Sequence, residues 1–146
     1  MAKVIFSAIF ILGVILCCNL KKDSRMEKVN LFFNAISQFD VKDSNKLKRY
    51  LVPVNDSVCG YLFTSVLPLA QKDIASKNMK DFKTIKYKNL KKAEQSLLPN
   101  DDISISDIYV VKYKKEAYMF VLFSDDKIKT FLTVNKGGSR FFLYLQ

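Results

Sequence analysis

Hydrophobic and polar positions divide this chain into a short leading stretch and a longer patterned remainder. Lys3 precedes an apolar run, Val4 to Leu16, which closes on Cys17-Cys18 and gives way abruptly to Asn19-Leu20-Lys21-Lys22-Asp23. A cationic start, an apolar stretch and a sharp polar break are the layout of an export signal. The run falls short of the roughly 20 apolar residues that span a bilayer core, so a permanent transmembrane helix is the weaker reading. The polar stretch from Asn19 to about Arg25 reads as a tether.

The remainder opens with helical periodicity. Met26, Val29, Phe33 and Ile36 recur at steps of three and four, and Phe32 and Phe39 widen the stripe. This predicts one amphipathic helix ending before Asp40. Asp43 or Ser44 can cap a short second helix with Leu47, Tyr50 and Leu51 on one face, stopped ahead of Pro53. Asp56 or Ser57 opens a third, with Val58, Tyr61, Leu62 and Val66 inward, until Pro68 kinks or ends it. The pattern allows Leu69 to Lys77 to continue as one more helical piece.

The period then drops to two. Ile85 and Tyr87 alternate with Lys86 and Lys88, as in a strand with one wet face. Leu98-Pro99-Asn100-Asp101-Asp102 reads as a turn or loop. Three apolar runs follow, Ile108 to Tyr113, Ala117 to Phe123 and Ile128 to Val134, and a fourth, Phe141 to Leu145, comes last. Their connections are short enough for antiparallel hairpins. Helices followed by a meander predict the α+β class, with N-terminal helices packed on a curved antiparallel sheet in a cone-like arrangement. Tyr118 to Phe123 is apolar at every position, so both faces of that strand require cover. One face can meet the helices; the other must meet more chain, a partner subunit or a ligand. The aromatic residues Tyr109, Tyr113, Tyr118, Phe120, Phe131, Phe141 and Tyr144 are the candidate apolar contact surface. The competing reading has the loop Ala93 to Asp102 folding over the surplus face and leaving nothing exposed.

Composition sharpens this. Without residues 1–17 the chain keeps 23 basic against 14 acidic residues in about 129 positions, the usual size of one domain. Twelve Phe and seven Tyr are too many for disorder. The expected division is a signal over 1–17, a modified cysteine and tether over 18–25, and one α+β domain over 26–146.

Two resemblances bear on function. The window Ile15-Leu16-Cys17-Cys18 resembles the lipobox of bacterial lipoproteins, in which a small residue precedes a cysteine that is acylated before the signal is cut. That resemblance implies lipidation of Cys18, with Cys17 in the place usually held by Gly, Ala or Ser. The alternative frame acylates Cys17 and puts Leu16 before the cut. The order of elements from Met26 onward, with Leu47-Lys48-Arg49-Tyr50-Leu51 in the second helix and Gly137-Gly138-Ser139-Arg140-Phe141-Phe142 near the end, resembles the nuclear transport factor two-like, or cystatin-like, cone domains of uncharacterised bacterial lipoproteins. This implies a cone able to hold a small ligand and a sheet able to form a homodimer.

The catalytic inventory is thin. There is no histidine, hence no Ser-His or Cys-His pair and no imidazole metal ligand. Asp101-Asp102 and Asp125-Asp126 lack the ligand spacing of a calcium loop and fall in predicted turns. Cys59 has no activating neighbour in Val58-Cys59-Gly60-Tyr61 and reads as a small buried residue. Neither a cofactor nor a metal is implied. Lysines cluster at Lys83, Lys86, Lys88, Lys91 and Lys92 and at Lys112, Lys114 and Lys115, while only Arg25, Arg49 and Arg140 supply guanidinium forks. That balance argues against nucleic acid and for wet strand faces. A second role for the lysines is contact with anionic headgroups.

The expectation is therefore a lipid-anchored cell-envelope protein, held to a bacterial membrane by its N-terminal lipid. It is a non-enzymatic module for a small apolar ligand or a protein partner. The alternative is an envelope enzyme of the same fold. It requires two or more of Asp73, Asp81, Glu94, Asp107 and Glu116 to converge in one pocket with tyrosines.

Overall fold

A computed structural model of the chain describes residues 23–40, 42, 44–95, 103–137 and 139–144. The signal-like run with Cys17 and Cys18, and the turn over 98–102, lie outside the described residues. Helix α1 spans Ser24–Ser37. It begins there because the Asp23 carboxylate, on extended backbone, accepts from the amides of Arg25 and Met26, two donors that a helix start leaves without partners. The predicted stripe is buried: Val29, Phe32, Phe33 and Ile36 on the helix, and Phe39 just past its end.

Helix α2, Ser44–Lys48, buries Leu47. Leu51 is buried in the same core as Leu47 and Tyr50 packs against it, as the spacing suggested, but both lie past the end of the helix. After Lys48 the chain turns through Arg49 and Tyr50, with the Tyr50 and Leu51 amides donating to the Leu47 and Lys48 carbonyls, and leaves the turn at Leu51 toward Pro53, which disfavours helical backbone in the residue before it. Leu51 forms a parallel bridge with Ile128. The Val52 amide donates to the Ile128 carbonyl at 2.9 Å, and the Ile128 amide to the Tyr50 carbonyl at 2.8 Å.

Helix α3, Asp56–Tyr61, is capped by the Asn55 side chain, which accepts from the Val58 amide. A π-helical turn, Leu62–Val66, follows and leads into α4, Leu67–Ala75, with Pro68 in its first turn. Pro68 neither ends the helix nor sits in an ordinary α ladder. The widened turn before it makes room for the ring and removes the bond its missing amide could not make. The widening also shifts the helical phase. Cys59, Leu62, Phe63, Leu67 and Ile74 are buried, while Tyr61, expected to point inward, is 65% exposed.

Four strands form one antiparallel sheet in the order β1-β2-β3-β4: Phe82–Lys86, Ile108–Tyr113, Glu116–Ser124 and Lys127–Thr130. Tyr87, expected to continue β1, instead starts a 3-10 turn over Tyr87–Asn89, followed by a one-turn helix α5, Lys92–Gln95. The β2–β3 register shifts between Val111 and Lys112, so Tyr118 is the extra residue on β3. The β3–β4 register shifts between Leu122 and Phe123, which makes Lys129 the extra residue on β4. Each such insertion bends its strand and changes which face the following side chains occupy. Lys114 and Asp125 take left-handed backbone in the hairpin turns. The Lys114 amide donates to the Asp81 carbonyl at 2.9 Å, so the turn is also held from outside.

The single run predicted over Ile128 to Val134 is two strands. The chain turns at Phe131, and β5, Leu132–Lys136, pairs only with β6, Ser139–Leu143. Phe131 drops into the core at this corner. Thr130, fully buried, donates to the Leu143 carbonyl and accepts from the Leu132 amide, so the corner leaves its hydroxyl satisfied.

Alternation sorts the sheet into two cores. Tyr109, Val111, Val121, Phe123 and Ile128 face α1 through α4. Ile108, Val110, Phe120 and Leu122 face away and are covered by Tyr87, Leu90 and Phe142, with Ile85, Ile103 and Ala117 at the margin. The strand that is apolar at every position is thus enclosed on both sides. The second cover comes from the segment following β1 and from the β5–β6 hairpin. Phe32→Ala in the first core and Phe120→Ala in the second should each destabilise the domain by about 3–5 kcal/mol, measured by denaturant unfolding. A cost below about 1 kcal/mol at Phe120 would show that the second face is not a packed core.

Candidate functional site

Strand β1 stands at an edge of the sheet, and no described strand pairs with its outer side. The opposite edge, β4, is partly closed by the Tyr50–Val52 segment. Side chains at alternate positions of β1 are stitched to the helix layer. Phe82 lies 4.7 Å from the Phe33 ring, centroid to centroid; Thr84 donates to the Asn30 side-chain oxygen at 2.6 Å; Lys86 pairs with Asp23 at 2.6 Å. The period of two on the strand meets the period of the helix at three points, so α1 lies along β1. Between them runs a groove of about 470 Å³ lined by Asn30, Phe33, Asn34, Met79, Phe82, Lys83, Thr84 and Val111. Its rim offers two side-chain amides, a hydroxyl and an ammonium, and its floor is apolar.

Each end of the groove is fixed by a cluster. At the Lys86 end, Asp23 accepts from the Tyr109 hydroxyl, 3.0 Å to each carboxylate oxygen, besides Lys86 and its own helix amides. Burial alone would raise the Asp23 carboxyl. The hydrogen bonds from Lys86, the Met26 amide and Tyr109 outweigh it and hold the group below the usual carboxylate range. Burial and the neighbouring Asp23 push the Tyr109 phenol up to about 12. Arg25 pairs with Asp107 at 2.6 Å and lies 5.4 Å over the Phe123 ring. At the Phe82 end, Phe82 packs against Tyr113 and Tyr118, and the Tyr118 hydroxyl donates to Asp73 at 2.5 Å. Lys77 pairs with the other Asp73 oxygen, also at 2.5 Å, and sits 5.4 Å over the Tyr118 ring. The bonds from Lys77 and Tyr118 lower the Asp73 carboxyl. Burial, with Asp73 behind it, raises the Tyr118 phenol.

The seven aromatic residues marked as a contact surface do not share one face. Tyr109 and Phe131 belong to the helix-side core and Phe120 to the opposite one. Tyr113 and Tyr118 are half-buried in the cluster just described, Phe141 is half-buried on β6, and Tyr144 is exposed. Cys18 lies outside the described residues, and Cys59 is buried on α3. The five acids do not converge. Asp73 is held by Lys77, Glu94 by Lys112 at 2.6 Å, and Asp107 by Arg25. Asp81 is in the 3-10 turn before β1, and Glu116 is exposed at the start of β3. None of the five lines the groove. Among the described residues no cluster of three or more His, Cys, Asp or Glu could hold a metal ion.

Asp23 was assigned to the tether, and its role was missed. The available signal was an acid just ahead of an amphipathic stripe, the usual place for a helix cap. Its links to Lys86 and Tyr109 had no local signature. Comparison with known proteins found no matching family, no similar curated protein and no similar solved structure. The class defined by the fold is therefore structural: an α+β domain with a two-sided core and an open edge strand beside its first helix.

Asp23→Asn tests the hub, because asparagine retains the cap but not the charge. At neutral pH the variant should be less stable by about 1.5–3 kcal/mol, the scale of hydrogen bonds to a charged group. Since the folded Asp23 has a depressed pKa, its contribution is full above about pH 4 and is lost as pH falls through the folded value. The stability gap between wild type and variant should narrow over that acid range. At the alkaline end the sign reverses for Tyr109, whose contribution persists below about pH 10 and is lost as pH rises toward about 12. Denaturant titrations across pH read both; a gap independent of acid pH would remove Asp23 from the hub.

Proposed function

We propose that the protein is a lipid-anchored cell-envelope binding module, of the nuclear transport factor two-like kind that its element order resembles. Cys18 carries the lipid, and the groove beside β1 takes the partner. The observation that carries the reading is the join between anchor and fold. The apolar run closes on Ile15-Leu16-Cys17-Cys18, and Asp23, only five residues beyond Cys18, already caps α1 and pins it to β1 and β2. Five extended residues reach at most about 17 Å, so the module works close to its anchor. No helix among the described residues is long and apolar enough to cross a membrane.

Binding, as opposed to catalysis, is favoured by how the acids are used. Asp73, Glu94 and Asp107 are each committed to a different cation. The groove instead combines unpaired strand edge, amide side chains and an apolar floor, features that suit an extended peptide segment adding to the sheet.

Mass spectrometry of the membrane-extracted protein should find Cys18 as the first residue, carrying acyl chains. Cys18→Ala should release or strand the precursor, and Cys59→Ala should leave anchoring unchanged. An intact Met1 or an unmodified Cys18 would sink the lipid anchor. Partner binding should shift the amide resonances of Asn30, Asn34, Lys83 and Thr84; shifts confined to other surfaces would reject the groove.

A further inference from the structure

We propose that the outer face of the β5–β6 hairpin docks on an anionic lipid surface. The face is defined by the cross-strand register. Leu132 pairs with Leu143 and Val134 with Phe141, while Thr133 with Phe142 and Asn135 with Arg140 occupy the other side. The inner side is already used: Phe142 is buried in the second core, and the Arg140 guanidinium lies 5.0 Å over the Phe120 ring. The outer side is apolar at all four central positions, where a sheet facing water would carry polar residues; Leu132, at the corner, packs against the first core and Phe141 is half-buried, which leaves Val134 and Leu143 as the open part of the strip. Val134 is 45% exposed, Leu143 48% and Tyr144 38%.

Charge identifies the occupant. From Lys127 to Gln146 there are four cations and no acid. Alternation puts Lys136 on the outer face beside Val134, and the Lys129 ammonium sits 4.7 Å over the Tyr144 ring at the other end of the patch. An apolar strip with a lysine at each end and a tyrosine at its margin matches a bilayer interface, where acyl chains lie beneath anionic headgroups. A second copy of the chain fits poorly. Face to face it would gather these lysines with no acid on either strip to offset them. The orientation also agrees, since Asp126, just before β4, accepts from Lys28 near the start of α1. This inference does not depend on acylation of Cys18.

The chain has no tryptophan, so one introduced indole is an unambiguous reporter. The full-length Val134→Trp protein is mixed with phosphatidylcholine vesicles, with and without phosphatidylglycerol; Leu143→Trp serves if the first variant fails to fold, and Tyr61→Trp on α3 is the control. In anionic vesicles the hairpin reporter should shift to shorter emission wavelength and be quenched by brominated lipid, while the Tyr61→Trp control stays water-exposed. Adding Lys129→Gln and Lys136→Gln should lower the bound fraction's partition coefficient roughly 30-fold. Emission that stays water-like with anionic vesicles overturns the proposal. Shielding that is the same without any vesicles also overturns it, because the face is then covered by protein. The outcome is separable from the lipid anchor, since flotation reports whether the chain reaches the vesicle and the indole reports which face touches it.

Discussion

The structure depends on one constraint: its central strands have no polar face. β2 and β3 are buried on both sides, with Tyr109, Val111, Val121 and Phe123 toward the helices and Val110, Phe120 and Leu122 away from them. A sheet of that kind cannot stand with one side in water, since each large apolar side chain left exposed forfeits roughly 1.5–3 kcal/mol. The rest of the chain is arranged to supply two covers. α1 and α4 form the first. The segment from Tyr87 to Leu90 and the inner side of β5–β6 form the second, and the corner at Phe131 exists because one continuous strand could not leave the sheet and return across its back.

The same constraint shapes the groove. A helix covering a sheet near its edge must be tied to the last strand, or the edge would splay. Here the ties are a ring contact, a neutral hydrogen bond and a charged one, at Phe82, Thr84 and Lys86 in turn. Because they alternate along β1 on its helix side, they leave its outer backbone edge without a partner among the described strands. Lys83, between them, is the sort of edge residue that discourages indiscriminate strand pairing.

The local pattern carried much of this. The stripe Met26 to Phe39 became α1 with its buried residues as read, and the runs Ile108 to Tyr113 and Ala117 to Phe123 became β2 and β3 nearly to the residue. What escaped was whatever depends on contacts distant in sequence. Nothing near Thr130 announces a corner; it follows from the partner β6 supplies. Nothing near Tyr61 announces that it faces solvent; it follows from the phase in which α3 docks, with Cys59, Leu62 and Phe63 turned to the core. The candidate site was the least legible part, because Asp23 acts through Tyr109, 86 positions away. Aromatic residues grouped by type proved to lie on opposite sides of one sheet, since a single inserted residue at Tyr118 reverses the alternation that type alone cannot reveal.

Charge in this molecule is divided by task. Asp23, Glu94, Asp107 and Asp126 each hold a cation that joins two parts of the chain, in the first case a helix start to a strand and in the last a turn to α1, while Asp73 holds Lys77 locally and reaches β3 through the Tyr118 hydroxyl. Acids used in this way are neutralised within about 3 Å and contribute little to the field outside, whereas lysines in excess of them do not cancel. With a net charge of +10 over the whole chain, that excess sets the long-range potential, which reaches about one Debye length, 8–10 Å, at physiological salt. Under the proposed acylation of Cys18, a tether reaching at most about 17 Å would hold the domain at a distance of the same order from the surface that carries its anchor. On the docking proposed above, the acid-free stretch from Lys127 onward would orient the molecule as well as attract it, since no carboxylate in that stretch opposes its lysines and the same hairpin leaves Val134 and Leu143 exposed.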